Sequence, residues 1–116
     1  MRSKTPINAL GDIEHNITLA RTFIEGLSFE AFRQDLRTVY AVTRCLEIIS
    51  EASRRLPSEL KARHPNIPWL KIAGAGSVYR HDYEDVLERF LWLTVHESPE
   101  PLRIAVTIEL ESLIKK

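Results

Sequence analysis

Apolar residues recur at steps of three and four along almost the whole chain, and no stretch alternates like a half-exposed strand. The first stripe ends near Gly26 and consists of Ile7, Leu10, Ile13, Ile17, Ala20, Ile24 and Leu27. This spacing predicts an amphipathic helix. Thr5 is its expected cap, and Pro6 suits its first turn.

A second helix is predicted from Ser28 to Leu56, because two apolar stripes run along this segment. One stripe holds Phe29, Phe32, Leu36, Val39, Thr43, Leu46, Ser50 and Ser53, and the other holds Val42, Cys45, Ile49, Ala52 and Leu56. A face this wide is typical of a helix buried on two sides. The short turn between the two helices predicts an antiparallel hairpin.

The segment that follows Leu56 is predicted to form shorter helices. Residues 57–64 fit a short helix that Pro65 stops, and a helical turn follows over residues 69–73. The stretch Gly74-Ala75-Gly76-Ser77 predicts a break or helix junction, since each glycine in a helix costs roughly 1 kcal/mol relative to alanine.

Helix is predicted to resume over residues 78–95 and to end in a turn over residues 96–101, where Ser98 is a candidate cap. The last helix carries Leu102, Val106, Leu110 and Leu113. The pattern therefore predicts an all-α fold. We expect an up-and-down bundle of four main helices plus a short helix, in one domain over residues 1–116.

The amino-acid composition limits the classes of protein to which the chain could belong. Sixteen basic and sixteen acidic residues cancel, so the chain lacks the basic excess that commonly marks a nucleic-acid-binding protein. Cys45 is the only cysteine, which excludes an internal disulfide and suits a reducing compartment. No apolar run is long enough for a membrane span or a signal peptide, so we expect a cytoplasmic protein.

Residues 67–83 concentrate the groups that carry chemistry. This segment combines Gly74 and Gly76 with a cation, an imidazole, a carboxylate and a phenol. Histidine is the side chain that can change its charge near neutral pH, so His81 suits a general acid or base, and the guanidinium of Arg80 suits a phosphate. These groups are the ones that RNA cleavage through the ribose 2′-hydroxyl requires.

A symmetric dimer with its axis near His81 would supply two histidines and two arginines to one site. Such a site needs no metal or other cofactor. His15, His64, His81 and His96 are scattered and form no ligand pair at helical spacing.

Residues 67–83 resemble the signature of the HepT-like toxin family, which belongs to the HEPN group of small helical ribonucleases. Residues 42–52 resemble the family's second long helix, and the likeness extends from about Leu10 to Leu113. The resemblance implies a homodimer that cleaves RNA. It also implies a minimal nucleotidyltransferase antitoxin as partner, in a type VII toxin–antitoxin pair.

By this resemblance, His81 is the catalytic base, and Tyr83 is the phenol to which the partner transfers AMP from ATP. By the same resemblance, an arginine is followed by four to six residues and then the histidine, which places that arginine near Ala75, Gly76 or Val78. Alignment on Gly74 and His81 puts Gly76 at this position. Arg80 is the candidate substitute cation, with Ser77 and Asp82 as polar support.

Each of these residues also has a purely structural interpretation. His81 could cap a helix at the surface, Tyr83 could lie in the core, and Arg80 could pair with Asp82 or Glu84. Trp69 and Cys45 fit core positions. Glu47 is expected to form surface ion pairs, with Arg44, Arg54 and Arg55 as the available partners.

Three hypotheses for function follow. The first is an endoribonuclease toxin that is inhibited by AMP transfer to Tyr83. The second is a catalytically inactive HEPN-like protein that binds and regulates a nucleotidyltransferase, as Gly76 in the arginine position suggests. The third is a structural helical domain with an unrelated partner.

Overall fold

The computed structural model describes residues 6–79, 84–97 and 99–115, with side chains described for residues 6–75, 88–96 and 99–115. All regular structure in these ranges is helical, which confirms the predicted all-α class. The helices are α1 (Ile7–Ile24), α2 (Phe29–Gln34), α3 (Leu36–Arg54), α4 (Ser58–Ala62), α5 (Trp69–Tyr79), α6 (Glu84–Glu97) and α7 (Pro99–Ile114).

Helix α1 forms where the first apolar stripe predicts it. Its buried residues are Ala9, Leu10, Ile13, Asn16, Ile17, Ala20 and Ile24. The helix ends just before Gly26, whose φ of 81° lies in the left-handed region that glycine adopts without strain. The predicted cap, Thr5, lies outside the described residues.

The predicted helix over residues 28–56 is two helices, because Asp35 interrupts it. Ser28 caps α2 as expected, and its Oγ accepts a hydrogen bond of 3.1 Å from the amide of Ala31. Asp35 has extended dihedrals, φ −103° and ψ 93°, and its carboxylate accepts a 2.8 Å hydrogen bond from Thr38. Aspartate competes with the helical backbone for hydrogen bonds, which favours this break.

Helix α3 is buried on both predicted stripes and packs most extensively against α1 and α5. Cys45 belongs to this buried face, as predicted. Leu36, which the first stripe included, is instead 59% exposed. Arg55, just after α3, forms a 2.8 Å ion pair with Asp12 near the start of α1. The end of α3 therefore lies beside the start of α1, as an antiparallel hairpin requires.

The expected break at residues 74–77 is wrong, because α5 runs without interruption through both glycines to Tyr79. Packing against α3 stabilises helix here and offsets the roughly 1 kcal/mol cost of each glycine. The predicted resumption of helix over residues 78–95 holds for residues 84–95, and residues 80–83 lie outside the described residues.

The turn before the last helix is shorter than predicted. Helix α6 continues to Glu97, and α7 already begins at Pro99. Proline is tolerated in the first turn of a helix because the amide groups there have no intrahelical acceptor. Ser98, the expected cap, lies outside the described residues.

The core is built mainly from α1 and α3 and is closed by α6 and α7. Leu91 and Val95 of α6 and Leu102 and Val106 of α7 are buried in it. Trp92 of α6 joins α2 to this core through ring contacts of 5.8 Å with Phe29 and 5.3 Å with Phe32, measured between centroids. None of the described helices is both long enough and apolar enough to cross a membrane.

Candidate functional site

Of the predicted site residues, Arg80, His81, Asp82 and Tyr83 lie outside the described residues. Ser77 lies in α5, two residues before the helix ends at Tyr79. The structure thus describes the helices on both sides of the predicted site. The way in which α5 is held determines how the chain approaches His81.

The first residue of α5 anchors the helix through its indole. Trp69 Nε1 lies 3.1 Å from the carbonyl oxygen of Lys61 and 3.1 Å from that of His64, and it donates to both. The ring is half-buried against the core, which agrees with the prediction for Trp69. Trp69 therefore ties the start of α5 to the end of α4 and to the residues that follow it.

A buried carboxylate anchors the same segment to α7. Arg63 donates two hydrogen bonds to Glu109, with Nε 3.1 Å from Oε2 and Nη2 2.8 Å from Oε1. His64 Nε2 lies 2.7 Å from Glu109 Oε2. The Arg63 hydrogen bond is the main reason why the pKa of Glu109 lies below its usual range, although burial opposes this shift.

The middle of α5 is anchored from α3. The carbonyl oxygen of Ala73 accepts a hydrogen bond of 2.9 Å from Ser50 Oγ and one of 2.7 Å from Arg54 Nη1. Ser50 is buried, whereas Arg54 is exposed. Two polar side chains from one helix thus converge on a single backbone oxygen of α5.

The expected ion pairs along α3 are confirmed only in part. Arg44 pairs with Glu47 at 3.4 Å, as predicted, but Arg55 pairs with Asp12 of α1 at 2.8 Å. Within the described part of the chain, no carboxylate lies at ion-pair distance from Arg54. The role of Arg54 at α5 was therefore missed, although its spacing of four from Ser50 places both residues on one helix face.

The inner side of α5 borders a cavity of about 380 Å³. Its walls are mainly apolar and include Ile17, Ile49, Ile72, Phe90 and Leu102. An apolar cavity of this kind disfavours charged phosphates. Among the described side chains, no group of three or more histidine, cysteine, aspartate or glutamate residues could hold a metal ion.

Residues 13–107 match the family described as "Ribonuclease HepT-like", which covers most of the chain, including the α5 segment and residues 80–83. No solved structure matches the chain.

Several relatives agree with this match. One from Thermococcus cleftensis, named "Probable ribonuclease HepT", is 42% identical over 94 residues, which are 81% of this chain and 86% of the relative. A protein of Caldanaerobacter subterraneus whose name describes it as an RNase is 38% identical over 98 residues, covering 84% and 88% of the two chains. A Methanocaldococcus jannaschii protein, also described as an RNase, is 33% identical over 94 residues, covering 80% and 74%. The chain therefore belongs to the HepT-like ribonuclease family.

Proposed function

We propose that this chain is the toxin of a type VII toxin–antitoxin pair, a metal-independent endoribonuclease that a nucleotidyltransferase inhibits by transferring AMP to Tyr83. The observation that carries the proposal is the family match over residues 13–107, which contains both His81 and Tyr83. The relatives that are named as ribonucleases support it.

In the proposed reaction, His81 removes the proton from a ribose 2′-hydroxyl, and the 2′-oxygen bonds to the adjacent phosphorus. The bond from phosphorus to the 5′-oxygen breaks, and that oxygen takes a proton from an acid, for which the second histidine of a dimer is available. Arg80 steadies the charge on the phosphate, and Ser77 and Asp82 give polar support.

In the proposed inhibition, the phenol oxygen of Tyr83 attacks the α-phosphorus of ATP. A phosphodiester bond forms, the bond between the α- and β-phosphates breaks, and pyrophosphate and the phenol proton leave. The added phosphate lies two residues from His81 in the sequence, so it repels the RNA backbone and adds bulk at the cleft.

A homodimer, or a larger even assembly, is part of the proposal because each chain supplies one histidine. The outer face of α5 supports it. Leu70 is 91% exposed there, and a Cβ added to Gly74 one turn later would meet no atom within 4 Å. Leu70 is the most exposed large apolar side chain among the described residues, so this face is the candidate contact with a second copy of the chain.

One observation favours a second function. The resemblance aligns Gly76 with the family's catalytic arginine, and losing a charge stabiliser of this kind can cost about 10²–10³ in rate. A chain without that activity would still bind a nucleotidyltransferase and regulate it.

An assay of AMP transfer distinguishes these two proposals from the hypothesis that the chain is an unrelated helical domain. The purified protein is incubated with a minimal nucleotidyltransferase and ATP, and intact mass and RNA cleavage are followed in parallel. We expect AMP on the parent, none on Tyr83→Phe, and loss of cleavage only in the modified parent. Equal modification of Tyr83→Phe, or unchanged cleavage by the modified parent, would contradict the inhibition mechanism.

A further inference from the structure

Arg54 differs from most of the described arginines in the partner that its guanidinium contacts. Six arginines pair with a carboxylate, and these are Arg21, Arg33, Arg44, Arg55, Arg63 and Arg103. Arg54 instead donates to the neutral carbonyl oxygen of Ala73, at 2.7 Å. This hydrogen bond orients the guanidinium, and no carboxylate of the described residues lies at ion-pair distance from it.

The guanidinium of Arg54 also keeps donors for a ligand. An arginine has five N–H groups, and one of those of Arg54 is used at Ala73. The side chain is exposed, so the remaining donors can be reached from solvent. A planar guanidinium that is already oriented loses less conformational entropy when it binds a phosphate.

The side chain of Arg54 contacts α5 close to the proposed site. Ala73 precedes Gly76 by three residues, which is about 4.5 Å along a helix axis. In an α-helix the carbonyl oxygen of residue 73 faces the amide of residue 77, so Arg54 reaches α5 at the level of Ser77. The guanidinium therefore reaches the turn of α5 that contains Gly76, the position with which the resemblance aligns the family's arginine.

We propose that Arg54 binds a phosphate of the RNA at the crossing of α3 and α5, and that it supplies from α3 the cation missing at Gly76. This inference rests on the proposed ribonuclease function. It identifies Arg54 as an RNA-binding residue, with Ser50 as a positioning residue because it shares the acceptor at Ala73.

RNA binding tests the proposal separately from cleavage. Binding of a fluorescent single-stranded RNA is measured by anisotropy across a salt series, with His81→Ala as the parent so that no RNA is cut. The test variant is Arg54→Gln, which retains a donor for Ala73 without the charge. Arg44→Gln is the matched control, since it removes one exposed charge from the same helix.

We expect Arg54→Gln to weaken RNA binding about tenfold or more, as the loss of a charge-assisted hydrogen bond to phosphate does. The slope of log affinity against log salt should fall by about 0.7–1. Arg44→Gln should bind within about twofold of the parent, since its charge is already paired with Glu47. Thermal unfolding verifies that each variant is folded, and Arg54→Lys serves as a second variant, with recovery of part of the affinity expected.

Equal binding by the parent and Arg54→Gln would overturn the role of Arg54 and leave the proposed function standing. An equal loss in Arg44→Gln would also overturn it, because the effect would then be one of net charge. A parent that binds no RNA at any salt concentration would overturn both proposals.

Discussion

Glu109 Oε2 on α7 lies 2.7 Å from His64 Nε2, 45 residues away in the sequence. The same carboxylate accepts two hydrogen bonds from Arg63, so α7 holds the segment that leads into α5. Trp69 binds the carbonyl oxygen of His64 from the other side. The start of the helix that approaches His81 is therefore fixed by a charged cluster and by one indole.

The Glu109 cluster makes stability depend on pH. The pKa of Glu109 is lowered in the folded state, chiefly by the Arg63 hydrogen bond, so its contribution is present above the unfolded pKa of about 4.3. That contribution is lost as pH falls through the lower folded pKa. We expect the Tm of the parent to fall on acidification below about pH 4.3, and Glu109→Gln to show less of this fall.

At neutral pH, Glu109→Gln should lower the free energy of unfolding by about 2 kcal/mol, as the loss of hydrogen bonds to a buried charge does. Glu111→Gln is the control, because Glu111 is an exposed carboxylate on the same helix. Urea unfolding at neutral and acidic pH measures both effects. Equal stability of the two variants would show that the cluster contributes nothing to the fold.

Two glycines should respond oppositely to alanine. Gly74→Ala should stabilise the monomer by up to about 1 kcal/mol, since alanine favours helix and its Cβ meets no atom within 4 Å. Gly26→Ala should destabilise it by about 1 kcal/mol, because φ at Gly26 is 81°. Urea unfolding at low protein concentration measures both, and a change of the same sign in both variants would contradict the backbone argument.

The outer face of α5 is the proposed contact between two copies. Leu70→Glu should convert the proposed dimer to monomer, because association would then remove a charged carboxylate from water. The fold should be unaffected, since Leu70 is 91% exposed within the chain. Sedimentation velocity at micromolar concentration measures this, with Leu36→Glu at the opposite end of α3 from Arg54 as the control. A Leu70→Glu protein that remains dimeric would place the interface elsewhere.

The spacing of apolar residues predicted most of the helices, because this spacing is a local property of each segment. It missed the break at Asp35 because the buried positions Phe32 and Val39 continue the same stripe across it. It also missed the continuity of α5 through Gly74, since packing against α3 is a tertiary effect that glycine content does not reveal.

Side-chain pairs that are close in the sequence were predictable in the same way, whereas pairs that are far apart in the sequence were not. The Arg44–Glu47 pair spans three residues and was predictable from helical spacing. The bonds of Arg54 to Ala73 and of Arg63 to Glu109 span 19 and 46 residues, so they depend on how helices cross. His81 was a candidate from the chemistry of its segment, whereas the role of Tyr83 was predicted only from the family resemblance, which carries information that spacing alone does not.

We propose that this chain is a ribonuclease that depends on His81 and needs no metal. The most direct test is the cleavage of mixed cellular RNA by unmodified purified protein in excess EDTA, beside His81→Ala from the same preparation. We expect cleavage by the parent and none by His81→Ala. Inert parent protein whose intact mass shows no AMP, or equal cleavage by both proteins, would contradict it.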